Sequence, residues 1–61
     1  MKLKYFLKKA EISEKAFAAK CGVHQTTMHR YTSGDVEPSF KMMRKIYVES
    51  DQIVTPNDFV L

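Results

Sequence analysis

The chain lacks most of what staples, anchors or unstructures a small protein. Its 61 residues include one cysteine. No disulfide can form within the chain, and a reducing compartment, the cytoplasm, is the expected home. No run of about 18 apolar residues is present, so no segment reads as a membrane span. The first ten residues carry four lysines and no apolar signal block. Glycines and prolines number two each, and there is no repeat, low-complexity tract or linker. Catalytic patterns are missing too. No acid–base pair stands near a nucleophile, no glycine-rich phosphate loop appears, and the chain is too small for a substrate pocket. No enzyme, no small-molecule substrate and no cofactor is expected.

What is there fits one small globular domain. Apolar residues make up 44% and charged residues 28%, which argues against disorder. A chain this short buries about 60% of the surface its unfolded form exposes, so its stability is expected to be marginal. Net charge is +3, unevenly spread. Residues 1–48 hold all ten Lys and Arg against four acids; residues 49–61 hold Glu49, Asp51 and Asp58 with no base. A basic body with an acidic tail suits a polyanionic partner. Solubility alone accounts for the lysines equally well.

Five short elements can be read. Leu3, Phe6, Leu7 and Ala10 recur at helical spacing, with Lys2, Lys4, Lys8 and Lys9 off that face. Ser13 caps a second helix, with Ile12 and Phe17 at staple spacing and Ala18 and Cys21 pointing inward. Gly22 ends it. Val23 and Met28 repeat the staple around His24, a poor cap. In this third helix, about 24–33, Met28 and Tyr31 face inward. Gln25, Thr26, His29, Arg30 and Ser33 lie on the other side or at its exposed start. Gly34 closes it, and residues 35–38 form a loop.

Ser39 caps a fourth helix, about 39–49, with Phe40, Met43, Ile46 and Tyr47 on its buried face. Lys41, Arg44 and Lys45 lie outside that stripe. Residues 50–52 break the pattern. Thr55, Pro56 and Asp58 then start a short turn over about 55–60, with Val54 and Phe59 at staple spacing. Ile53-Val54 and Val60-Leu61 favour β-structure, which leaves a strand open there. The expected fold class is all-α: a compact domain of four to five helices. Its expected core is Leu3, Phe6, Leu7, Phe17, Ala18, Cys21, Val23, Met28, Tyr31, Met43, Ile46 and Phe59.

The segment of about 13–33 reads as a helix, a tight turn and a second helix. One side of that second helix is built of hydrogen-bonding groups, a device for entering the DNA major groove. Phe17-Ala18, Cys21-Gly22-Val23, Met28, Tyr31 and Ser33-Gly34 together resemble the helix-turn-helix of the Cro and lambda-repressor-like family, often called XRE-type. Pro38-Ser39, Lys45-Ile46 and the segment Val54 to Phe59 also look like parts of that pattern. The resemblance covers nearly the whole chain and implies a lambda-repressor-like DNA-binding domain.

It implies roles as well. Gln25, Thr26, His29 and Arg30 would contact bases, with Gln25 matched to adenine and Arg30 to guanine. Lys15, Lys20, His24, Ser39 and Lys41 would contact phosphates. The partner would be double-stranded DNA, and the function that of a small phage, prophage or bacterial repressor. Two positions depart from the pattern. Relatives usually carry Ser or Thr where His24 stands. Gln is frequent near the start of the second helix, where this chain has Glu14 and Lys15, so a Gln–Gln clamp cannot form.

Other readings have less behind them. Cys21, His24 and His29 supply three possible metal ligands, and a closed structural zinc site wants four. No metal site is expected. Tyr5 and Met42, at the edges of their apolar faces, read as surface residues or a dimer contact. Weak dimerisation, or dimerisation only on the operator, is the expectation. A function of another class, a protein-interaction module such as an antitoxin-like or adaptor protein, is motivated by the apolar Val60-Leu61 end and the acidic tail.

Overall fold

Apolar residues at helical spacing build the first helix, α1, over Leu3–Ala10. It buries Leu3, Phe6 and Leu7 and leaves Lys4, Lys8 and Lys9 in solvent. The computed structural model describes residues 1–59, all of them in helices, turns or loops. Three further helices follow: α2 over Glu14–Cys21, α3 over Gln25–Ser33 and α4 over Phe40–Glu49. A single 3-10 turn, Pro56–Phe59, closes the described chain. The expected all-α class holds. Ile53 and Val54 form no strand, and Val60 and Leu61 lie outside the described residues.

Local chemistry sets the helix ends. Ser13 Oγ accepts the Ala16 N–H at 3.1 Å, and Ser39 Oγ accepts the Met42 N–H at 3.2 Å. Three ends share one left-handed closure. At the first, Ile12 N–H reaches the Leu7 carbonyl at 3.0 Å around Glu11. At the second, Val23 N–H reaches Ala18 at 3.0 Å around Gly22. At the third, Gln52 N–H reaches Tyr47 at 2.7 Å around Asp51. This pattern pairs the last carbonyls of a helix and favours glycine at its turning residue. Only Gly22 has that freedom; Glu11 and Asp51 take φ of 57° and 61° against their side chains' preference. Gly34 closes α3 in the same backbone region, at φ 83°.

The core gathers one face from each helix. Leu3, Phe6, Leu7, Phe17, Ala18, Cys21, Met28, Ile46 and Val54 form one buried cluster. Phe6 and Phe17 meet edge to face, their ring centroids 5.6 Å apart, and this joins α1 to α2. Ile12, Val23, Tyr31, Met42 and Phe59 pack against the cluster and stay half-exposed. Val23, Tyr31 and Phe59 therefore rim the core rather than fill it. Asp58 Oδ2 accepts the Thr55 N–H at 2.8 Å, the expected cap of the closing turn. The same oxygen lies 2.8 Å from the Met1 ammonium, which ties the two ends of the described chain together.

Two further assignments change. Phe40, expected on the buried face of α4, is 83% exposed. The buried arc of α4 is centred on Met43, Ile46 and Ser50. On the helical wheel Phe40 falls past Tyr47 and beside Arg44, at the rim of that arc. Val54, expected only as a staple, is fully buried. Ser50 is buried beneath it: its hydroxyl accepts the Val54 N–H at 3.0 Å and reaches the Tyr47 carbonyl at 3.2 Å.

Candidate nucleic-acid interface

α3 is held from below by a single fully buried side chain, Met28, flanked by half-buried Thr27 and Tyr31. Two shells of packing meet there: α2 through Phe17 and Ala18, and the core through Ile46. A small residue at Ala18 lets the helices cross closely. The opposite edge of α3 is free. Gln25, Thr26, His29, Arg30 and Ser33 are all exposed. Gln25 and His29 stand one turn apart on one strip; Thr26, Arg30 and Ser33 form the neighbouring strip.

The start of α3 is chemically open. His24 occupies the cap position with no side-chain hydrogen bond. The N–H groups of Gln25, Thr26 and Thr27 find no acceptor among the described residues. Partial positive charge collects at such an end. Ser39 has used its acceptor on Met42, but its hydroxyl proton is unassigned and the side chain is exposed. Lys15 and Lys20 on α2 and Lys41 on α4 are exposed as well. The four base-reading candidates thus share one helix edge. The phosphate candidates are spread over α2, the cap of α3 and the start of α4.

One residue of this surface was not assigned a role by sequence: Glu14, the first residue of α2. Its carboxylate accepts the Thr32 hydroxyl, and the Nδ1 of His29 lies 3.1 and 3.2 Å from its two oxygens. The Thr32 hydroxyl holds the Glu14 carboxyl below its ordinary range; partial burial works against this, and His29 adds to the lowering. An acid at the start of a helix is also favoured by the helix dipole, which makes Glu14 look ordinary in sequence. The only signal was that Glu14 or Lys15 stands where the Cro-like pattern often has Gln. Its partners lie 15 and 18 residues away, beyond any local pattern.

Cys21 is buried in the core, and burial pushes its thiol up to about 11. Among the described residues no three of His, Cys, Asp and Glu come together as metal ligands. No helix among them is long and apolar enough to cross a membrane.

Four helices, a glycine turn between α2 and α3, and an exposed polar edge on α3 define a helix-turn-helix domain. A family model described as helix-turn-helix matches residues 3–46, from the start of α1 into α4. The chain belongs to this DNA-binding family, of the Cro and lambda-repressor-like kind. No curated protein and no solved structure matches it.

Proposed function

We propose that the chain is a sequence-specific transcriptional regulator of the small Cro-like kind, a phage, prophage or bacterial repressor working in the cytoplasm. α3 enters the major groove of its operator, and occupancy excludes polymerase from the promoter. The observation that supports this is the free edge of α3, with Gln25, Thr26, His29 and Arg30 exposed over a helix seated on buried Met28. Arg30 pairs with guanine O6 and N7, Gln25 with adenine N6 and N7, and Thr26 meets a thymine methyl or a phosphate. Lys15, Lys20, Lys41, Ser39 and the open N–H groups after His24 hold phosphates.

The domain measures 24 Å along its longest axis. One turn of DNA is about 34 Å, so one copy covers a single half-site. Two copies, associated weakly or only on the DNA, would read a palindrome. Selection of bound duplexes from a random pool tests the reading. A defined motif that binds in a salt-dependent manner supports it; retention of every sequence alike, or of none, overturns it.

A second reading, a protein-interaction module, is favoured by one observation. Exposed Phe40 borders Lys41, Arg44, Tyr47 and Pro56 in a shallow cleft. A tight protein complex insensitive to changes at Gln25 and Arg30 would carry that reading instead.

A further inference from the structure

Glu14 does more than join two helices. An ionised carboxylate can only accept hydrogen bonds. Both of its oxygens lie within 3.2 Å of His29 Nδ1, so that nitrogen carries a proton. A neutral imidazole has one N–H. With that proton held at Nδ1, Nε2 is left with its lone pair. Nε2 has no partner among the described residues, and the His29 side chain is 64% exposed. Thr32 fixes the carboxylate from the other side, which keeps Glu14 aligned on the ring.

Resting on the DNA-binding reading above, we infer that Glu14 is a specificity-determining positioning residue: by fixing the tautomer of His29 it makes Nε2 an acceptor in the major groove. The base opposite must then offer an amino group, adenine N6 or cytosine N4. Guanine and thymine, which present O6, N7 or O4 acceptors there, are refused.

The charges around the ring come from several elements. Glu14 of α2 is in direct contact. Lys2, Lys4 and Tyr5 from the start of the chain, Tyr31 of α3, Glu37 of the following loop and Asp58 of the closing turn line the same groove. Their signs are mixed, and only Glu14 bonds to the ring among the described residues. The negative charge of Glu14 also stands beside the face where phosphates pass. Removing it therefore raises affinity for every sequence while it lowers discrimination at one base pair.

The test is selection of duplexes from a random pool by the full chain, for the wild type, Glu14→Gln and His29→Ala. A Gln amide both donates and accepts, so it leaves either tautomer of His29 open. The wild type should prefer adenine or cytosine at one position. Glu14→Gln should reduce that preference by about fivefold, a typical loss for one base contact, while it tightens binding to unselected DNA. His29→Ala should erase the preference, and the double variant should lose no more than His29→Ala alone. Three results overturn the inference: a motif that His29→Ala leaves unchanged, a Glu14→Gln variant that keeps the full preference, or one that weakens all sequences equally. In each of these the chain still selects a motif and the DNA-binding reading stands. If no sequence is selected, both fall together.

Discussion

Ser50 Oγ accepts the N–H of Val54 at 3.0 Å, in the interior of the protein. The bond spans a turn in which Asp51 and Gln52 both take left-handed backbone, φ 61° and 67°. It is what allows the chain to leave α4 and bury Val54 against the core. Ser50→Ala leaves that buried N–H without a partner, a cost of about 1–3 kcal/mol. For a domain of this size each kcal/mol lowers the melting temperature by about 4–8 °C. Thermal unfolding followed by circular dichroism checks this; a melting curve that does not move would show that the bond contributes nothing.

Glu11 is the mirror case, a residue whose replacement should stabilise. It turns α1 through the left-handed region at φ 57° and places a negative charge at a helix C-terminus. The first costs roughly 1–2 kcal/mol relative to glycine; the second opposes the helix dipole. Glycine gives part of this back through greater freedom of the unfolded chain, about 0.4–1 kcal/mol. Glu11→Gly should raise the melting temperature by a few degrees, at about 4–8 °C per kcal/mol. The same scan decides it, and a fall would mean that Glu11 makes a compensating contact.

The two strips of α3 and the lysines around them separate in a binding assay. Arg30→Ala should change base preference at one operator position and cost roughly 1–3 kcal/mol there. Lys41→Ala should weaken all sequences alike and reduce the salt slope by about one. Titrations of matched and mismatched duplexes at several salt concentrations distinguish them. Equal loss on all sequences for Arg30→Ala would remove it from base recognition.

Acid should unfold the domain through Glu14 and Asp58. Glu14 is held low by Thr32 and His29. Partial burial pushes Asp58 up, but the Met1 ammonium and the N–H and hydroxyl of Thr55 outweigh it and lower its value. The folded state therefore binds these protons more weakly than the unfolded chain does. Their contribution is complete above the ordinary carboxylate range and is lost as pH falls through the lowered values. Melting temperature should drop on acidification below about pH 4. Asp58→Asn should flatten that drop and lower the plateau near neutrality. A plateau that persists to about pH 2 in the wild type would contradict the assignment.

Most of the fold was legible because its signals are local. Caps at Ser13 and Ser39, the staple of Ile12 and Phe17, and the turn at Gly22 each act within a few residues. The exposed edge of α3 followed from its period alone. Phe40 misled because its i+3 relation to Met43 puts it near the buried stripe, while the arc is centred farther round the wheel. Val54 and Ser50 were hidden because their burial depends on a turn through two non-glycine left-handed residues, which sequence does not announce. Glu11 and Asp51 escaped as helix terminators for the same reason. The bond from Glu14 to His29 depends on how α2 and α3 cross, so no reading along one helix could have found it.

Cys21 gives the molecule its own stopwatch. The thiol is 5% exposed and its pKa is raised to about 11. Alkylating reagents attack the thiolate, so the closed protein is doubly shielded from them. Modification proceeds only during moments when α2 lifts from its neighbours. The rate at which iodoacetamide adds its mass to the native chain therefore counts those openings, and no label need be introduced to watch them.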